Sequence, residues 1–320
     1  MRKYLNLLQD IKDNGEWKNP AREGMPRTKS IFSRSLRFDL TQGFPVVTIK
    51  KLYWKGVVGE LLWFLREDTN IKYLVDNNIN IWNADAYKHY LRIYDPKSDF
   101  PIEEWLKRIK DESYTEIGFK YGECDHIYGY QWRHWGGNTN NPGFDQIQNL
   151  IEGIKKNPDS RYHKVTAWNP TDFLQYPENA ALPACHTDFQ VYIRQGKYLD
   201  LDFNCRSQDV FLGTPFNISS YALLTHILAD LTGYQAGELI WNGKDIHYYE
   251  NHQEQVNEAL KREPLELPEL SRSTEYIIKL SQYKEDNDLN KFLDSLEIND
   301  FKLYNYKSYE ALKAPLSVGI

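Results

Sequence analysis

The chain has 320 residues, 41% hydrophobic and 26% charged, with a formal net charge of −6. It can bury a large core, and no run nears the roughly 18–20 apolar residues that a membrane span needs. The acidic balance excludes a general nucleic-acid binder, which carries a basic face, but leaves room for a small anion held by a few placed arginines.

The first ten residues turn polar too soon for a secretory signal, so a cytoplasmic location is expected. Tyr4, Leu5, Leu7, Leu8 and Ile11 recur at helical spacing, with Gly15 as the stop. Residues 19–28 are rich in breakers and basic side chains and read as a loop. It offers Arg22 and Arg27 to an anion, against the plainer reading of solvated surface charges. Residues 31–38 and 44–49 predict two strands joined at Gln42 and Gly43. Residues 54–67 predict a helix striped by Val57, Val58, Leu61, Leu62 and Leu65. Glu60 falls inside that stripe, either at its solvent edge or buried with a task.

Residues 85–125 are polar, charged and aromatic, with one helix expected over 102–109 and little else that is regular. They read as a surface insertion. A helix over 144–156 and a strand over 164–168 follow. Cys185 comes shortly after a proline and just before His186 and the β-leaning run 189–193, which describes a thiol at the mouth of a strand. A thiolate is the nucleophile, and Arg206 and Ser207 lie one strand downstream to favour it. Taken alone, such a cysteine is more often a small buried hydrophobe. Its companions Cys124 and Cys205 make an odd count without CxxC spacing, against a disulfide framework and against a zinc site.

Residues 198–203 alternate, which sends Asp200 and Asp202 outward from a core face. Residues 218–231 predict an apolar helix stopped by Gly233, 238–241 a short strand, 249–260 a helix closed by Pro264, and 275–280 and 298–304 two late strands. No repeat or linker divides the chain, so a single catalytic domain over 1–320 is expected, with 85–125 as its insertion.

Four stretches then narrow the reading: GELLWFL at 59–65 with DTN at 68–70, LPACHT at 182–187, RSQDVFLG at 206–213 running into PFNI at 215–218, and DIHYYENH at 245–252. Their order resembles the thymidylate synthase family, and the likeness extends from the first helix to KAP at 313–315. It implies an α+β fold, a large mixed twisted β-sheet covered by helices. The implied reaction is methylation of deoxyuridylate by 5,10-methylenetetrahydrofolate, which gives both the carbon and a hydride, with no metal. It also implies a symmetric homodimer formed through the back of the sheet, with no membrane and no obligatory nucleic-acid partner.

By the same resemblance Cys185 is the nucleophile, and Arg206 with Ser207 meets the substrate phosphate and the thiol. Asn217 reads uracil, because its amide offers one acceptor and one donor in the order that uracil needs and cytosine reverses. As an isolated residue before Ile218, Asn217 also suits a helix N-cap. Glu60 relays protons to the ring carbonyl, Tyr128 and His186 belong to a polar water network, and His247 and Tyr249 bind the sugar hydroxyl. Asp209, Ile81, Trp82, Leu212, Gly213 and Phe216 receive the folate ring, and Lys50, with Lys51, its glutamate tail. Arg161 reaches the partner's phosphate, joined by Arg22 or Arg27.

Several positions depart from the family pattern. Tyr162 stands where a second arginine is common, leaving Arg27 or Lys164 as substitutes. Asn83, Asp85, Asp188 and the tail from Leu316 add polarity or looseness around the site, while retained Trp82 and the apolar Leu316 and Val318 favour methylation. Water in place of hydride gives a hydroxymethyl pyrimidine, so a deoxyuridylate or deoxycytidylate hydroxymethylase is the alternative. Two other classes fare worse. A cysteine hydrolase needs a base such as His186, His226, His247 or His252 but has no second motif, and an RNA-binding module conflicts with the charge.

Overall fold

The stripe Tyr4, Leu5, Leu8 and Ile11 forms the buried face of helix α1 (Arg2–Asn14), which Gly15 ends in an extended conformation. The computed structural model describes residues 1–20, 24–96, 100–111, 118, 120–138 and 140–316. Strands β1 (Glu16–Lys18) and β2 (Thr28–Asp39) come next. The second strand expected from the sequence, over 44–49, is absent. A 3-10 turn at Leu40–Gln42 and Gly43 at φ +129° redirect the chain through the core as an irregular segment. Phe44, Val46, Val47 and Ile49 are buried there, while Phe44 N–H donates to Pro268 O and Val46 N–H to Phe44 O, both at 2.8 Å. Apolar content marked the burial, but no neighbouring strand offers a ladder.

Helix α2 (Trp54–Leu65) is apolar on almost every side, and α3 (Lys72–Asp76) is a short turn beyond it. The 85–125 region holds more regular structure than its polarity predicts. Helix α4 (Asn83–Ile93) precedes α5 (Ile102–Lys110), and Tyr90 packs on Tyr121 and Trp105 with ring centroids 5.4 and 6.0 Å apart. The buried face of α4 is made of Ala86, His89 and Tyr90, with polar Asn83 beside them, so its helical period is faint on a hydropathy scale.

Helices α6 (Tyr128–Arg133) and α7 (Gln146–Lys156) lead to β3 (Lys164–Thr166), β4 (His186–Arg194) and β5 (Tyr198–Asp209). Helix α8 (Gly213–Thr232) crosses to β6 (Gln235–Tyr249). Helix α9 (Gln253–Leu260), β7 (Glu269–Arg272), α10 (Thr274–Asp286), α11 (Leu289–Ser295) and β8 (Phe301–Tyr304) complete the order. Three late expectations are corrected. The strand at 238–241 is the middle of the much longer β6, the helix expected from 249 starts at Gln253 after a 3-10 turn, and residues 275–280 are helical. Ser273 caps α10 by accepting Tyr276 N–H at 3.0 Å, and its buried Tyr276, Leu280 and Tyr283 recur at helical spacing beyond the window read as a strand.

The sheet runs β1-β2-β6-β5-β4-β3, antiparallel except for the parallel pair β5/β6 that α8 connects. This is the mixed sheet of an α+β fold, with β7-β8 as a separate pair. Leu199, Leu201 and Phe203 of β5 face α8, and Phe203 stacks on Tyr221 at 4.0 Å. Asp200 does not point to solvent as the alternation suggested. It is buried on the other face, where it pairs with Arg194 Nε at 2.7 Å and accepts Glu238 N–H at 2.7 Å. Asp202 beside it accepts Asn242 Nδ2–H at 2.9 Å, so polar side chains cover each other on that face. Among the described residues no helix is long and apolar enough to cross a membrane. Removing the stacked ring at the centre of this layer by Phe203→Ala is expected to destabilise the protein by about 3–5 kcal/mol, read as a lowered urea midpoint.

Candidate active site

A cleft of about 560 Å³ opens where β4 begins and where β5 and β6 end. Cys185 is the last residue before β4 and is half-buried. Its backbone is held from both sides: Arg206 N–H donates to Cys185 O at 2.9 Å, and Cys185 N–H donates to the Tyr128 hydroxyl at 2.7 Å. The Arg206 side chain grips the same segment, with Nε–H donating to Ala184 O at 2.8 Å and Nη2–H to Pro183 O at 3.2 Å. Its guanidinium lies over the Trp168 ring at 5.2 Å. A planar fork satisfied on two carbonyls is a rigid support, and its charge is permanent.

Burial sets the electrostatics of the walls. Glu60, from the middle of α2, accepts Trp82 Nε1–H at 2.7 Å. Enclosure by protein pushes its carboxyl up to about 7, and the indole bond only partly opposes this. His186 stacks on Tyr128 at 3.9 Å and shares a 2.8 Å hydrogen bond between Nδ1 and the Tyr221 hydroxyl. Desolvation lowers it to about 3, so the imidazole is neutral. Burial, reinforced by Cys185, raises the Tyr128 phenol. Lys50 is buried, donates to Phe211 O at 2.5 Å and sits 3.8 Å over that ring; desolvation lowers it to about 8 although Asp209 opposes the shift.

Ser207 and Asp209 end β5, where Asp209 Oδ1 accepts the N–H groups of Phe211 and Leu212 at 2.8 and 3.2 Å. That turn launches α8 at Gly213, so Asn217 lies inside the helix and is not its N-cap. Asn217 Nδ2 stands 3.5 Å from Gln208 Oε1, at the long limit of a hydrogen bond. On β6, His247 Nδ1 lies 3.4 Å from Asp245 Oδ1, and the imidazole holds the Asp245 carboxyl below the usual range.

The cleft therefore gathers Cys185, Glu60, Tyr128, His186, Ser207, Asp209, Asn217, His247 and Tyr249 with Lys50, Ile81, Trp82, Leu212, Gly213 and Phe216. Arg206 stands behind the Cys185 segment. Arg161 lies in an exposed bend before β3, outside its own chain's cleft, and Tyr162 beside it is 88% exposed. Arg22 and Val318 fall outside the described residues. Arg27 is paired with Glu250, and Lys164 with Asp188 at 2.7 Å, so both candidate substitutes at Tyr162 already serve a carboxylate.

Asp188 also accepts Asn204 Nδ2–H at 3.0 Å and does not line the cleft, which corrects the expectation that it adds polarity there. Asn83 is buried at the start of α4, whereas Asp85 does reach the cleft. Several contributors, Leu52 and Tyr53 of the cleft lining among them, were not foreseen. Tyr221 follows Asn217 by one helical turn, a spacing the sequence displays, and Gln208 sits inside the RSQD motif. Leu312 and Ala314 join Leu316 on the cleft wall, in a tail tied down by a 2.8 Å hydrogen bond between His252 Nε2–H and Pro315 O. Among the described residues no group of three or more His, Cys, Asp or Glu is arranged to hold a metal ion.

The family model described as thymidylate synthase matches residues 2–318. A thymidylate synthase of Listeria monocytogenes serotype 4b (strain CLIP80459) is 40% identical over 336 residues, covering 99% of this chain and 100% of the relative. The thymidylate synthase of Mycoplasma mobile is 40% identical over 318 residues, with the same coverage of both chains.

Because folding raises the Glu60 pKa, the folded protein binds the proton more tightly than the unfolded chain. Stability is then lost as pH climbs from about 4.5 to about 7. Glu60→Gln keeps an acceptor for Trp82 without that cost. It is expected to be more stable than the parent at pH 8 by up to about 3 kcal/mol, with the gap closing near pH 4.5, as read from denaturation at a series of pH values.

Proposed function

The chain belongs to the thymidylate synthase family, and from that premise we propose that it converts deoxyuridylate to thymidylate. The observation that carries this reading is a single cleft holding a cysteine anchored by Arg206 together with an asparagine amide suited to uracil. The Cys185 thiolate bonds to carbon 6 of the pyrimidine, and the electron pair of the 5,6 double bond moves toward carbon 5 and the ring carbonyl. Carbon 5 becomes an enolate-like nucleophile, which the free base is not.

Asn217 accepts from the ring N–H and donates to the adjacent carbonyl, with Gln208 beside its amide to limit rotation. Glu60, titrating near neutrality, passes protons to the ring carbonyl through water. Tyr128 accepts the Cys185 N–H and so keeps its own O–H as a donor, for the water that takes the carbon 5 proton. His186 stays neutral and braces Tyr128 by stacking. His247 and Tyr249 hold the sugar hydroxyl, and Arg206 and Ser207 meet the phosphate. The exposure of Arg161 outside its own cleft supports a phosphate contact across a homodimer.

Methylenetetrahydrofolate supplies the carbon and the hydride when bound. The residues present fit it: Ile81, Trp82, Leu212, Gly213 and Phe216 form a flat, largely apolar wall, Asp209 lies beside them, and Lys50 is the cation toward an anionic tail. We read residues 1–320 as one cytoplasmic catalytic domain carrying 85–125 as an insertion.

A second reading, hydroxymethylation, rests on Asp85, a carboxylate on the cleft wall that can hold water near the reacting carbon. Leu312, Ala314 and Leu316 oppose it by adding apolar side chains to the same cleft lining. Incubation with deoxyuridylate and methylenetetrahydrofolate is expected to yield thymidylate and dihydrofolate by mass and absorbance. Hydroxymethyl-deoxyuridylate with tetrahydrofolate selects the second reading. Cys185→Ala is expected to remove turnover altogether, and Asn217→Asp to move preference toward the cytosine nucleotide. Unchanged uracil preference in Asn217→Asp overturns the assignment of base recognition.

A further inference from the structure

We infer that Arg92, acting with His89 and Asp125, is a positioning residue through which the 85–125 insertion holds the nucleophile segment in place; this rests on the reading of Cys185 as nucleophile. Asp125 adopts a left-handed backbone at φ +54°, a conformation uncommon outside glycine that aspartate tolerates and that side-chain contacts can hold in place. Two side chains do so: Tyr94 O–H donates to Asp125 Oδ2 at 2.8 Å, and His89 Nε2 lies 2.7 Å from the same oxygen. Arg92 can only donate, so the 3.0 Å contact from Arg92 Nη2 makes His89 Nδ1 the acceptor and puts the ring proton on Nε2, facing Asp125. His89 is buried, and its orientation is therefore fixed at both nitrogens.

The same Arg92 nitrogen donates to Ala180 O at 3.1 Å. Around that contact His126 N–H donates to Asn179 O at 2.8 Å and Ala181 N–H to Cys124 O at 3.1 Å, so the turn at Asp125 is stitched to the chain entering the site. Cys185 follows a few residues later, where Arg206 takes the carbonyls of Pro183 and Ala184. The segment is thus clamped at its far end by the insertion and at its near end by β5. Helix α4 begins directly after Trp82, which bonds Glu60, and carries His89 and Arg92 on its last turns. One helix spans from the carboxyl to the stretch that delivers the thiol. The insertion is then part of what aligns the site, and an arginine that touches no substrate affects the rate.

Arg92 is itself exposed, so its replacement leaves the core intact. In the full chain, Arg92→Ala is expected to lower kcat about tenfold with little change in KM for deoxyuridylate, the split produced by misplaced reacting groups. Amide exchange in peptides covering 180–186 is expected to quicken about tenfold while exchange in α8 stays as in the parent. Arg92→Lys, which keeps a donor to Ala180 O, is expected to recover part of both. Unchanged kcat and exchange in Arg92→Ala overturn the inference, as does faster exchange spreading equally to α8, which marks general loosening. If the parent protein fails to turn over deoxyuridylate, the reaction assigned above is at fault, and the exchange comparison judges the clamp alone.

Discussion

The grip of Arg206 on the carbonyls of Pro183 and Ala184 is the contact on which the rest of the cleft depends. A cysteine at a strand mouth is mobile unless its backbone is occupied, and here the neighbouring carbonyls and the Cys185 N–H all have partners. Proline at 183 contributes by lacking an N–H that would need one. The register shift between His186 and Asp188 is a bulge after which pairing resumes, with His186 opposite Cys205, so the turn of the strand happens next to Cys185. A guanidinium is the suitable anchor because its planar fork meets two carbonyls at once.

Behind that anchor the site is tuned by enclosure more than by ion pairs. Glu60 moves up toward neutrality, His186 down to its neutral form, and the Tyr128 phenol up, all with desolvation as the largest cause. Glu60 is thereby held near its neutral form and His186 in it. Such enclosure strengthens the electrostatic contacts that remain, because less water screens them. The aromatic packing of Phe64, Trp82, Trp132 and Tyr128 supplies the enclosure, with Phe64 and Tyr128 centroids 4.9 Å apart.

The chain itself disclosed which residues meet in one cleft better than it disclosed the scaffold. Cys185, Asn217 and the β6 pair His247 and Tyr249 stand in short local motifs, and local sequence keeps such motifs in view. What stayed hidden depends on distant partners. Whether residues 44–49 form a strand hinges on a neighbour at Pro268, and the burial of Asp200 hinges on Arg194 and on the backbone of Glu238 across the sheet. Helix α4 was obscured for another reason, since its inner face is built from tyrosine and histidine, which hydropathy scores as nearly polar. The role of Asp188 was misjudged because proximity in sequence to Cys185 is not proximity in space on a strand, where alternate residues face opposite ways.

The same alternation bears on whether water or hydride reaches the reacting carbon. Asp188 and Lys164 satisfy each other on the sheet's other face, so that departure from the family pattern leaves the cleft unchanged. Asn83 is buried in the first turn of α4, supporting the helix rather than wetting the site. Among the described departures from the family pattern, Asp85 brings a carboxylate to the cleft lining, which it shares with a tail whose Leu312, Ala314 and Leu316 recur every second residue, as an extended chain presenting one apolar face requires. Exclusion of water is then a contest between one carboxylate and a tail that His252 secures through Pro315. Three apolar side chains on a tethered backbone thus share one cleft lining with a single added carboxylate.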